Sequence, residues 1–212
     1  MAAFASVLSP IFAPRSQPTA EPLATGIPEL DRLVGGIPRA SLTEVYGPPS
    51  SGRTSLIQSI LRATTQAGMY CACVDTPDTF DPHTAATAGV NLAQLLWVRC
   101  RRQPEHALKA ADLLLQAGGF SLLILDLSGQ PARVTNRIPV ATWFRLRNGA
   151  EQSGTTLIVT SETSNTGSCT KLQLATRRHQ VLWSQNLLRG TRSVVSNPKR
   201  NRSEKISFWV AV

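Results

Sequence analysis

The sequence predicts an α/β fold with a mostly parallel central sheet, and three observations lead to that expectation. Short apolar runs alternate with segments of helical spacing between about residues 42 and 160. One run, Leu122–Leu127, is apolar throughout except for Asp126, which is typical of a central strand covered on both faces. From about Leu172 onward the pattern changes to strand after strand, which predicts a C-terminal antiparallel β extension.

The individual elements follow from their own residue patterns. Strands are predicted at Leu42–Tyr46, Met69–Val74, Leu95–Val98, Leu122–Leu127 and Thr155–Thr160. Helices are predicted at Thr54–Ala67, Glu105–Gln116 and Pro139–Ser153, where apolar side chains recur every three or four residues. In the C-terminal extension, the turn signals are Leu188–Gly190 and Asn197–Pro198.

The composition fits one globular domain preceded by a loose arm. The chain has 212 residues, of which 42% are hydrophobic and 17% are charged, so a largely disordered protein is excluded. Four of the 14 prolines lie within residues 1–22, which we expect to form the arm, and residues 23–212 form the core. No apolar run is long enough to span a bilayer, and the four cysteines lack metal-ligand spacing. We therefore expect a cytoplasmic protein with buried, reduced cysteines and no membrane partner.

The positive charge is concentrated towards the C-terminal end of the sequence. The formal net charge is +9, and Lys171–Val212 holds nine basic residues against one acidic residue, which leaves +1 for residues 1–170. This basic, β-rich stretch (about residues 171–212) predicts a polyanionic partner, with nucleic acid favoured over membrane; a solvated basic surface is the alternative. The candidate nucleic-acid contacts there are Lys171, Arg177, Arg178, Lys199, Arg200 and Arg202.

A phosphate-binding loop is predicted between the first strand and the first helix. Its sequence, Gly47-Pro48-Pro49-Ser50-Ser51-Gly52-Arg53-Thr54, has the spacing G-x-x-x-x-G-K-[ST] with arginine in place of lysine. The glycines let the backbone wrap so that successive N–H groups, up to that of Ser55, converge on phosphate oxygens at a helix N-terminus. Thr54 and the strand-end acid Asp126 are the candidate Mg²⁺ ligands. The planar guanidinium of Arg53 keeps the charge but suits an ammonium site poorly, so weak nucleotide binding is expected; a glycine-rich turn without a ligand is the alternative.

Several motifs recur in the order found in a known family. They are Thr25-Gly26, Leu30-Asp31, Gly35-Gly36-Ile37-Pro38, Leu42–Thr54, Val74–Pro82, Gly89-Val90, Leu95-Leu96, Ala107-Leu108, Leu122–Asp126 and Gly190–Asn197. Over roughly residues 22–212 the sequence resembles the bacterial RecA core. That resemblance implies a RecA-like P-loop core that binds ATP, Mg²⁺ and single-stranded DNA and that can form oligomers.

The chain departs from this family at positions to which the resemblance gives catalytic roles. Pro77 stands where the family has its catalytic glutamate, and Ser161 or Glu162 stands where a glutamine senses the terminal phosphate. Proline can neither accept a proton nor polarise a water molecule. Asp78 is the candidate substitute for the glutamate. Together with Arg53, these departures predict that ATP hydrolysis is impaired or absent.

The resemblance also implies contacts outside the phosphate loop. Asp81 matches an acid that contacts adenine, and a helix N-cap is the alternative role. Two segments match the family's DNA-binding loops: about Ser128–Pro139, which carries Arg133 and Arg137, and about Glu162–Lys171, which is short but flexible enough to become ordered on a strand. In this fold such loops hold single-stranded DNA through phosphate contacts; ordinary surface loops are the alternative.

Three functions remain open from the sequence. The first is a shortened, RecA-like DNA repair accessory that binds ATP and single-stranded DNA weakly; it is similar to ImuA-type proteins, which serve in the SOS response and translesion synthesis, and RecA or translesion polymerase components would be its partners. The second is a competent DNA-dependent ATPase in which Arg53 and Asp78 do the usual work. The third is an interaction module that docks on RecA or a polymerase assembly without nucleotide. The surviving glycines, Thr54 and Asp126 favour the first.

Overall fold

The computed structural model of the chain describes residues 21–184, 187–196 and 205–211, with side chains for residues 21–179 and for Val195. The predicted N-terminal arm lies almost wholly outside these ranges, as do Lys199, Arg200 and Arg202 and the predicted turn at Asn197–Pro198. The boundary between arm and core therefore stays a prediction.

One eight-stranded sheet organises the described chain. Its strands are β1 (Leu42–Tyr46), β2 (Cys71–Asp75), β3 (Leu95–Arg99), β4 (Leu122–Asp126), β5 (Thr156–Ser161), β6 (Leu172–Ser184), β7 (Leu187–Ser196) and β8 (Lys205–Ala211). Their spatial order is β3-β2-β4-β5-β1-β6-β7-β8. The first six strands in that order pair in parallel, whereas β7 pairs antiparallel with both β6 and β8. The predicted α/β class, with a parallel centre and an antiparallel extension, is confirmed.

The helices of the described ranges are α1 (Pro28–Val34), α2 (Arg53–Gln66), α3 (Pro82–Thr87), α4 (Pro104–Ala117), α5 (Ala132–Thr135) and α6 (Val140–Ser153). Proline begins α1, α3 and α4, at a position where the missing N–H has no intrahelical acceptor in any case. The three helices predicted from periodicity are α2, α4 and α6, each within one residue of its predicted ends. Within the described ranges, no helix is both long and apolar enough to cross a membrane.

The two faces of the sheet carry separate cores because side chains alternate along a strand. In β4, Leu122 and Ile124 belong to the cluster that includes Leu56 and Ile60 of α2. Leu123 and Leu125 belong to the opposite cluster, together with buried residues of α4 and α6. Helices on both faces therefore explain why the run from Leu122 is continuously apolar.

One turn prediction in the C-terminal extension is wrong. Gly190 lies inside β7, where it pairs with Leu182 of β6. Since β7 begins at Leu187, the chain reverses before the predicted turn at Leu188–Gly190. The β6–β7 register shifts beside this pair, between Leu182 and Trp183, and an irregular position of this kind is where a strand interior uses glycine.

The parallel strands bring the candidate functional segments to one edge of the sheet. The connections that leave the carboxyl ends of β1, β2, β4 and β5 all begin there. Asp75 and Asp126, the last residues of β2 and β4, are directly paired in the register of these two strands. In open α/β sheets, ligands bind outside the carboxyl ends of the strands, so this edge is where a site is expected.

Candidate nucleotide-binding site

A cavity of about 210 Å³ opens at the carboxyl edge of the sheet, between α2 and the segment that follows β2. One face of α2 forms a wall, because residues three or four apart lie on the same side of a helix. The lining residues are Arg53, Thr54, Ile57, Gln58, Leu61, Cys73, Thr79, Phe80, Asp81, Thr84, Ile124, Asp126, Ser128 and Thr160. The cavity thus brings together Arg53 and Thr54 of the predicted phosphate loop with Asp126 and Asp81.

The loop between Gly47 and Gly52 packs against β6. Gly47 is required there by a close approach, since a Cβ at this position would lie 2.2 Å from the carbonyl oxygen of Thr176. The Ser51 hydroxyl lies 2.7 Å from the Thr176 hydroxyl, which also donates to the Tyr46 carbonyl oxygen at 3.1 Å. Because 125 residues separate Ser51 from Thr176, no local pattern in the sequence could have shown this support.

The loop offers fewer backbone donors than its length suggests. Pro48 and Pro49 have no N–H, and the Ser51 N–H donates to the Pro48 carbonyl oxygen at 3.2 Å. The first intrahelical hydrogen bond of α2 runs from the Leu56 N–H to the Gly52 carbonyl oxygen. The N–H groups of residues 53–55 therefore have no acceptor within the helix. These amides lie at a helix N-terminus, where an anion is favoured.

Arg53 turns inward from the loop. Only 9% of the residue is exposed, and its Nη1 donates to Ser128 Oγ at 2.9 Å. Burial lowers the pKa of the Arg53 guanidinium, and the carboxylates of Asp126 and Glu162 oppose that shift. The guanidinium is therefore tethered just beyond the end of β4.

The two candidate magnesium ligands, Thr54 and Asp126, both line the cavity. Asp126 Oδ1 accepts the backbone N–H of Ser128 at 2.8 Å. Burial raises the pKa of Asp126, and hydrogen bonds from Ser128 oppose that shift. The hydroxyl of Thr54 and the carboxylate of Asp126 are hard oxygen donors of the kind that Mg²⁺ prefers, so the two residues fit such an ion.

The segment after β2 is held in place by a buried carboxylate. Asp75 accepts the N–H of Thr79 at 3.2 Å, the N–H of Phe80 at 3.0 Å and the indole N–H of Trp97 at 3.2 Å. The ring of Phe80, whose centroid lies 5.5 Å from that of Trp97, lines the cavity. Asp75 is not a lining residue itself, so it shapes the cavity wall through its neighbours.

Neither Pro77 nor Asp78 offers a base to the cavity, and neither lines it. Pro77 faces the next connection, where a Cβ built on Gly129 would lie 3.9 Å from the Pro77 Cβ. Asp78 forms a bidentate ion pair with Arg99, with oxygen–nitrogen distances of 2.6 and 2.9 Å. The hydrogen bond from Arg99 lowers the pKa of Asp78, which weakens it further as a base. A catalytic role for Asp78 stays a prediction without geometric support.

Asp81 caps α3 and also lines the cavity. Its carboxylate accepts the backbone N–H groups of His83 and Thr84, each at 3.1 Å, and the Thr84 hydroxyl donates to it as well. These hydrogen bonds, with the Thr84 hydroxyl as the largest cause, lower the pKa of Asp81. The N-cap alternative is therefore observed, and the adenine contact stays a prediction.

The segment expected to be a flexible second DNA loop is a hydrogen-bonded crossover. Both β5 and β6 run parallel to β1, so residues 162–171 return the chain from the carboxyl edge to the amino edge of the sheet. Their regular structure is the 3₁₀ turn Gly167–Cys169, where a parallel crossover usually has an α-helix. At its start, the Ser161 hydroxyl donates to the Thr163 carbonyl oxygen at 2.7 Å.

Glu44 of β1 fixes this crossover. Its fully buried carboxylate accepts hydrogen bonds from the Ser164 hydroxyl, the Asn165 and Thr166 N–H groups and the Gln173 side-chain amide, at 2.6–3.0 Å. These four hydrogen bonds attach the crossover and the start of β6 to β1, so the segment has little freedom to reorder on a ligand. Sequence reasoning missed Glu44, although an acid in the middle of an apolar strand was a signal for it.

The predicted DNA contacts that the structure describes lie at two opposite edges. At the carboxyl edge four of them are exposed: Arg133, Arg137, Arg177 and Arg178. Lys171 is exposed at the amino edge, where its N–H donates to the Leu42 carbonyl oxygen at 2.8 Å. Six residues of extended chain, about 20 Å, separate Lys171 from Arg177. The four arginines lie at the same edge of the sheet as the cavity, whereas Lys171 lies at the opposite edge.

Taken together, the fold and the cavity define an α/β core with a P-loop-type turn at the carboxyl edge of a parallel sheet. The family comparison gives this class a name. A model described as the RecA N-terminal domain matches residues 13–135, more than half of the chain. The chain belongs to this family.

Individual relatives are similar over part of their length. "Protein RecA" of Ectopseudomonas oleovorans is 40% identical over 95 residues, which are 44% of this chain and 26% of that protein. "Protein RecA" of Herpetosiphon aurantiacus is 40% identical over 108 residues, 50% of this chain and 30% of that protein. "Protein RecA" of Deinococcus radiodurans is 39% identical over 106 residues, with shares of 49% and 29%. The chain therefore matches less than a third of the length of these relatives.

Proposed function

We propose that this chain is a RecA-type DNA repair accessory that binds ATP at residues 47–55 and single-stranded DNA at the same edge of the sheet, with slow or absent hydrolysis. The observation that carries the proposal is the cavity, which joins the phosphate-loop residues to Asp126 but has no acidic residue at the Pro77 position. A role beside RecA or translesion polymerase components in the SOS response, and assembly into oligomers, belong to the same proposal.

The cavity suits a nucleotide laid along α2. At one end, the amides of residues 53–55 and the Arg53 guanidinium provide positive charge for phosphates. Two turns of helix further, Ile57 and Leu61 and the ring of Phe80 provide apolar surface for a base. Asp81 lies at that end and has the acceptor capacity to take an exocyclic amine hydrogen.

Thr54 and Asp126 would hold a Mg²⁺ ion beside the phosphates. The ion would supply positive charge that neutralises the phosphate oxygens. Thr54 is an exposed residue that lines the cavity, and the Ser128 N–H donates to the Asp126 carboxylate and helps to orient it. The positive charge of Arg53 acts on the Asp126 carboxylate, and its guanidinium is hydrogen-bonded to Ser128, which supports weak binding.

Binding without turnover follows from where the acidic groups lie. A general base must be within hydrogen-bond reach of the water it activates. Pro77 has no such group, and Asp78 is engaged by Arg99 outside the cavity lining. Nucleotide that binds here therefore has no base from the Pro77 position or from Asp78 to orient an attacking water.

The test is a titration of a fluorescent ATP analogue with Mg²⁺, with and without single-stranded DNA, run beside a phosphate-release assay. We expect saturable binding, a change of DNA affinity with nucleotide, and no release above background. The Thr54→Ala variant is the matched negative control, because it removes the hydroxyl from the cavity without altering the loop glycines. DNA-stimulated release that Asp126→Ala abolishes would replace the proposal with a competent ATPase.

A docking module without nucleotide is the second candidate, and two observations favour it. The Arg53 tether to Ser128 and the two prolines of the loop reduce what remains for a phosphate. This candidate predicts no binding at millimolar nucleotide, with capture of RecA or a polymerase component intact in Arg53→Ala. Loss of capture in that variant would count against it.

A further inference from the structure

The geometry points to a phosphate-backbone contact that the sequence did not reveal: we infer that Arg101 and Arg102, in the turn between β3 and α4, bind single-stranded DNA. The inference deepens the proposed function and rests on its DNA-binding part. Arg101 and Arg102 lie outside the two segments that match the family's DNA-binding loops.

The turn concentrates exposed positive charge at the carboxyl edge. Arg99, Arg101 and Arg102 are all exposed, and the acid beside them is Asp78. Arg99 engages both oxygens of Asp78 and lies 5.1 Å above the ring of Trp97. Within the described side chains, neither Arg101 nor Arg102 has a carboxylate at ion-pair distance, so two guanidinium groups remain available for a ligand.

The backbone holds these two side chains on a rigid base. Arg101 and Arg102 have φ angles of 48° and 61°, in the left-handed region that favours glycine. The turn is closed by the Cys100 N–H to the Asp75 carbonyl oxygen at 2.9 Å and the Arg102 N–H to the Thr76 carbonyl oxygen at 2.7 Å. A preorganised backbone reduces the entropy lost when the side chains engage a ligand.

The strained positions gather at this place. In the described residues, five non-glycine residues have positive φ, and three of them, Asp78, Arg101 and Arg102, lie at the carboxyl ends of the adjacent strands β2 and β3. Such strain persists where the surrounding structure imposes it and is frequent at ligand-binding sites. Arginine at both left-handed positions of the turn indicates that the side chains, and not only the bend, are used.

A repeated phosphate suits this surface better than a small ligand does. Arg101 and Arg102 do not line the cavity described above, and both are exposed residues of a turn, so their side chains are accessible to an extended ligand. Guanidinium groups match phosphate geometry through paired N–H donors. Two strand spacings, about 10 Å, separate β3 from β4, beyond which Arg133 and Arg137 are exposed, so one backbone can contact both groups.

The decisive experiment measures binding of fluorescein-labelled oligo(dT) by anisotropy at several NaCl concentrations. The double variant R101S/R102S is compared with R32S/R145S, which also removes two arginines but from exposed ion pairs elsewhere in the molecule. We expect R101S/R102S to reduce the slope of log K against log salt by about 1.4, which is about 25-fold in affinity at 0.1 M salt. The control should bind like the unmodified chain, and oligo(rU) tests whether the ribose matters.

Each result has a defined meaning. An unchanged slope in R101S/R102S, or an equal loss in R32S/R145S, overturns the inference and leaves the rest of the proposed function in place. Absence of oligo(dT) binding by the unmodified chain overturns the inference together with the DNA-binding proposal, while the ATP-analogue titration still tests the nucleotide site. If R101S/R102S binds the ATP analogue and unfolds like the unmodified chain, a reduced salt dependence of its oligo(dT) binding does not come from misfolding. Binding of an acidic peptide of equal charge without any binding of oligo(dT) would overturn the inference and indicate a protein partner instead.

Discussion

The ends of β1 and β2 lie at the same edge of one sheet, but they use their polar groups in different ways. After β1, Arg53 and Thr54 line a cavity, and the N–H groups of residues 53–55 precede the first intrahelical hydrogen bond. After β2, Asp75 accepts three hydrogen bonds from its own neighbours, and Asp78 is paired with Arg99. The polar groups after β1 thus contribute to the cavity, whereas the carboxylates after β2 are engaged in structural contacts.

The strongest test of this contrast is Asp75→Asn. The amide keeps one acceptor oxygen and turns an NH₂ group towards N–H donors, so a buried donor loses its partner. We expect the free energy of unfolding to fall by about 2–4 kcal/mol, measured by urea denaturation with tryptophan fluorescence.

The matched control is Asp78→Asn, which breaks a solvent-exposed pair with Arg99. Exposed ion pairs contribute little, so this variant should lose far less stability than Asp75→Asn. Comparable destabilisation by both variants would remove the distinction between a buried structural carboxylate and a surface one.

At the end of β1, Gly47→Ala should weaken both stability and nucleotide affinity. The added Cβ meets the backbone of Thr176 at 2.2 Å, so the loop or β6 must shift, at about 1–3 kcal/mol. Gly149→Ala in α6 is the control, since its Cβ meets Leu115 at an ordinary 3.4 Å. That change should stabilise the helix by about 0.5–1 kcal/mol, so the two alanines are expected to have opposite signs in denaturation.

Removing the hydrogen bond between Arg53 and Ser128 should strengthen nucleotide binding. Ser128→Ala removes the hydroxyl that accepts from Arg53, and Arg53→Lys removes the guanidinium itself. Each is expected to tighten ATP-analogue binding about fivefold, which corresponds to about 1 kcal/mol for one hydrogen bond. Because both act on one interaction, the double variant should gain no more than either alone. Unchanged affinity in Ser128→Ala would show that the tether does not limit binding.

The smallest expected effect is on the pH dependence of stability, and it differs in sign between the two regions. Burial raises the pKa of Asp126, so its contribution to stability is present at acid pH and is lost as pH rises through the raised pKa. Arg99 lowers the pKa of Asp78, so its contribution is present above the ordinary pKa and is lost as pH falls through the lowered value. Asp126→Asn should therefore gain stability relative to the unmodified chain with rising pH, and Asp78→Asn should lose it. Parallel curves in denaturation between pH 3 and 8 would contradict both signs.

Local periodicity was sufficient for the parallel core. The strands and the helices α2, α4 and α6 appear close to their predicted ends because each has an apolar face that shows within ten to fifteen residues. The loop spacing correctly placed Gly47 just after β1 and Thr54 in the first turn of α2, because both positions belong to one short local motif. Strand-end acids such as Asp126 were visible because they interrupt apolar runs.

What the sequence did not show depends on contacts between distant residues. In the sequence, Asp75 and Asp126 are both acids at the end of a strand. In the structure, the Asp75 carboxylate accepts hydrogen bonds from the Trp97 indole and from two backbone N–H groups of the following segment. The support of Ser51 by Thr176 and the tether of Arg53 to Ser128 cross 125 and 75 residues. The sheet register that brings these pairs together is a property of the whole fold, so no window of sequence contains it.

The carboxylate of Glu44 has a consequence for how the protein is made. The groups that satisfy it, from Ser164 to Gln173, follow it by 120 to 129 residues. A ribosome therefore delivers β1 long before the donors that permit its acid to leave water, and burying an unpaired charge is unfavourable. β1 lies between β5 and β6, so the Glu44 carboxylate finds its partners in that place only when residues 164–173 are present. A chain that ends before Ser164 would leave this carboxylate without the donors that surround it in the folded protein.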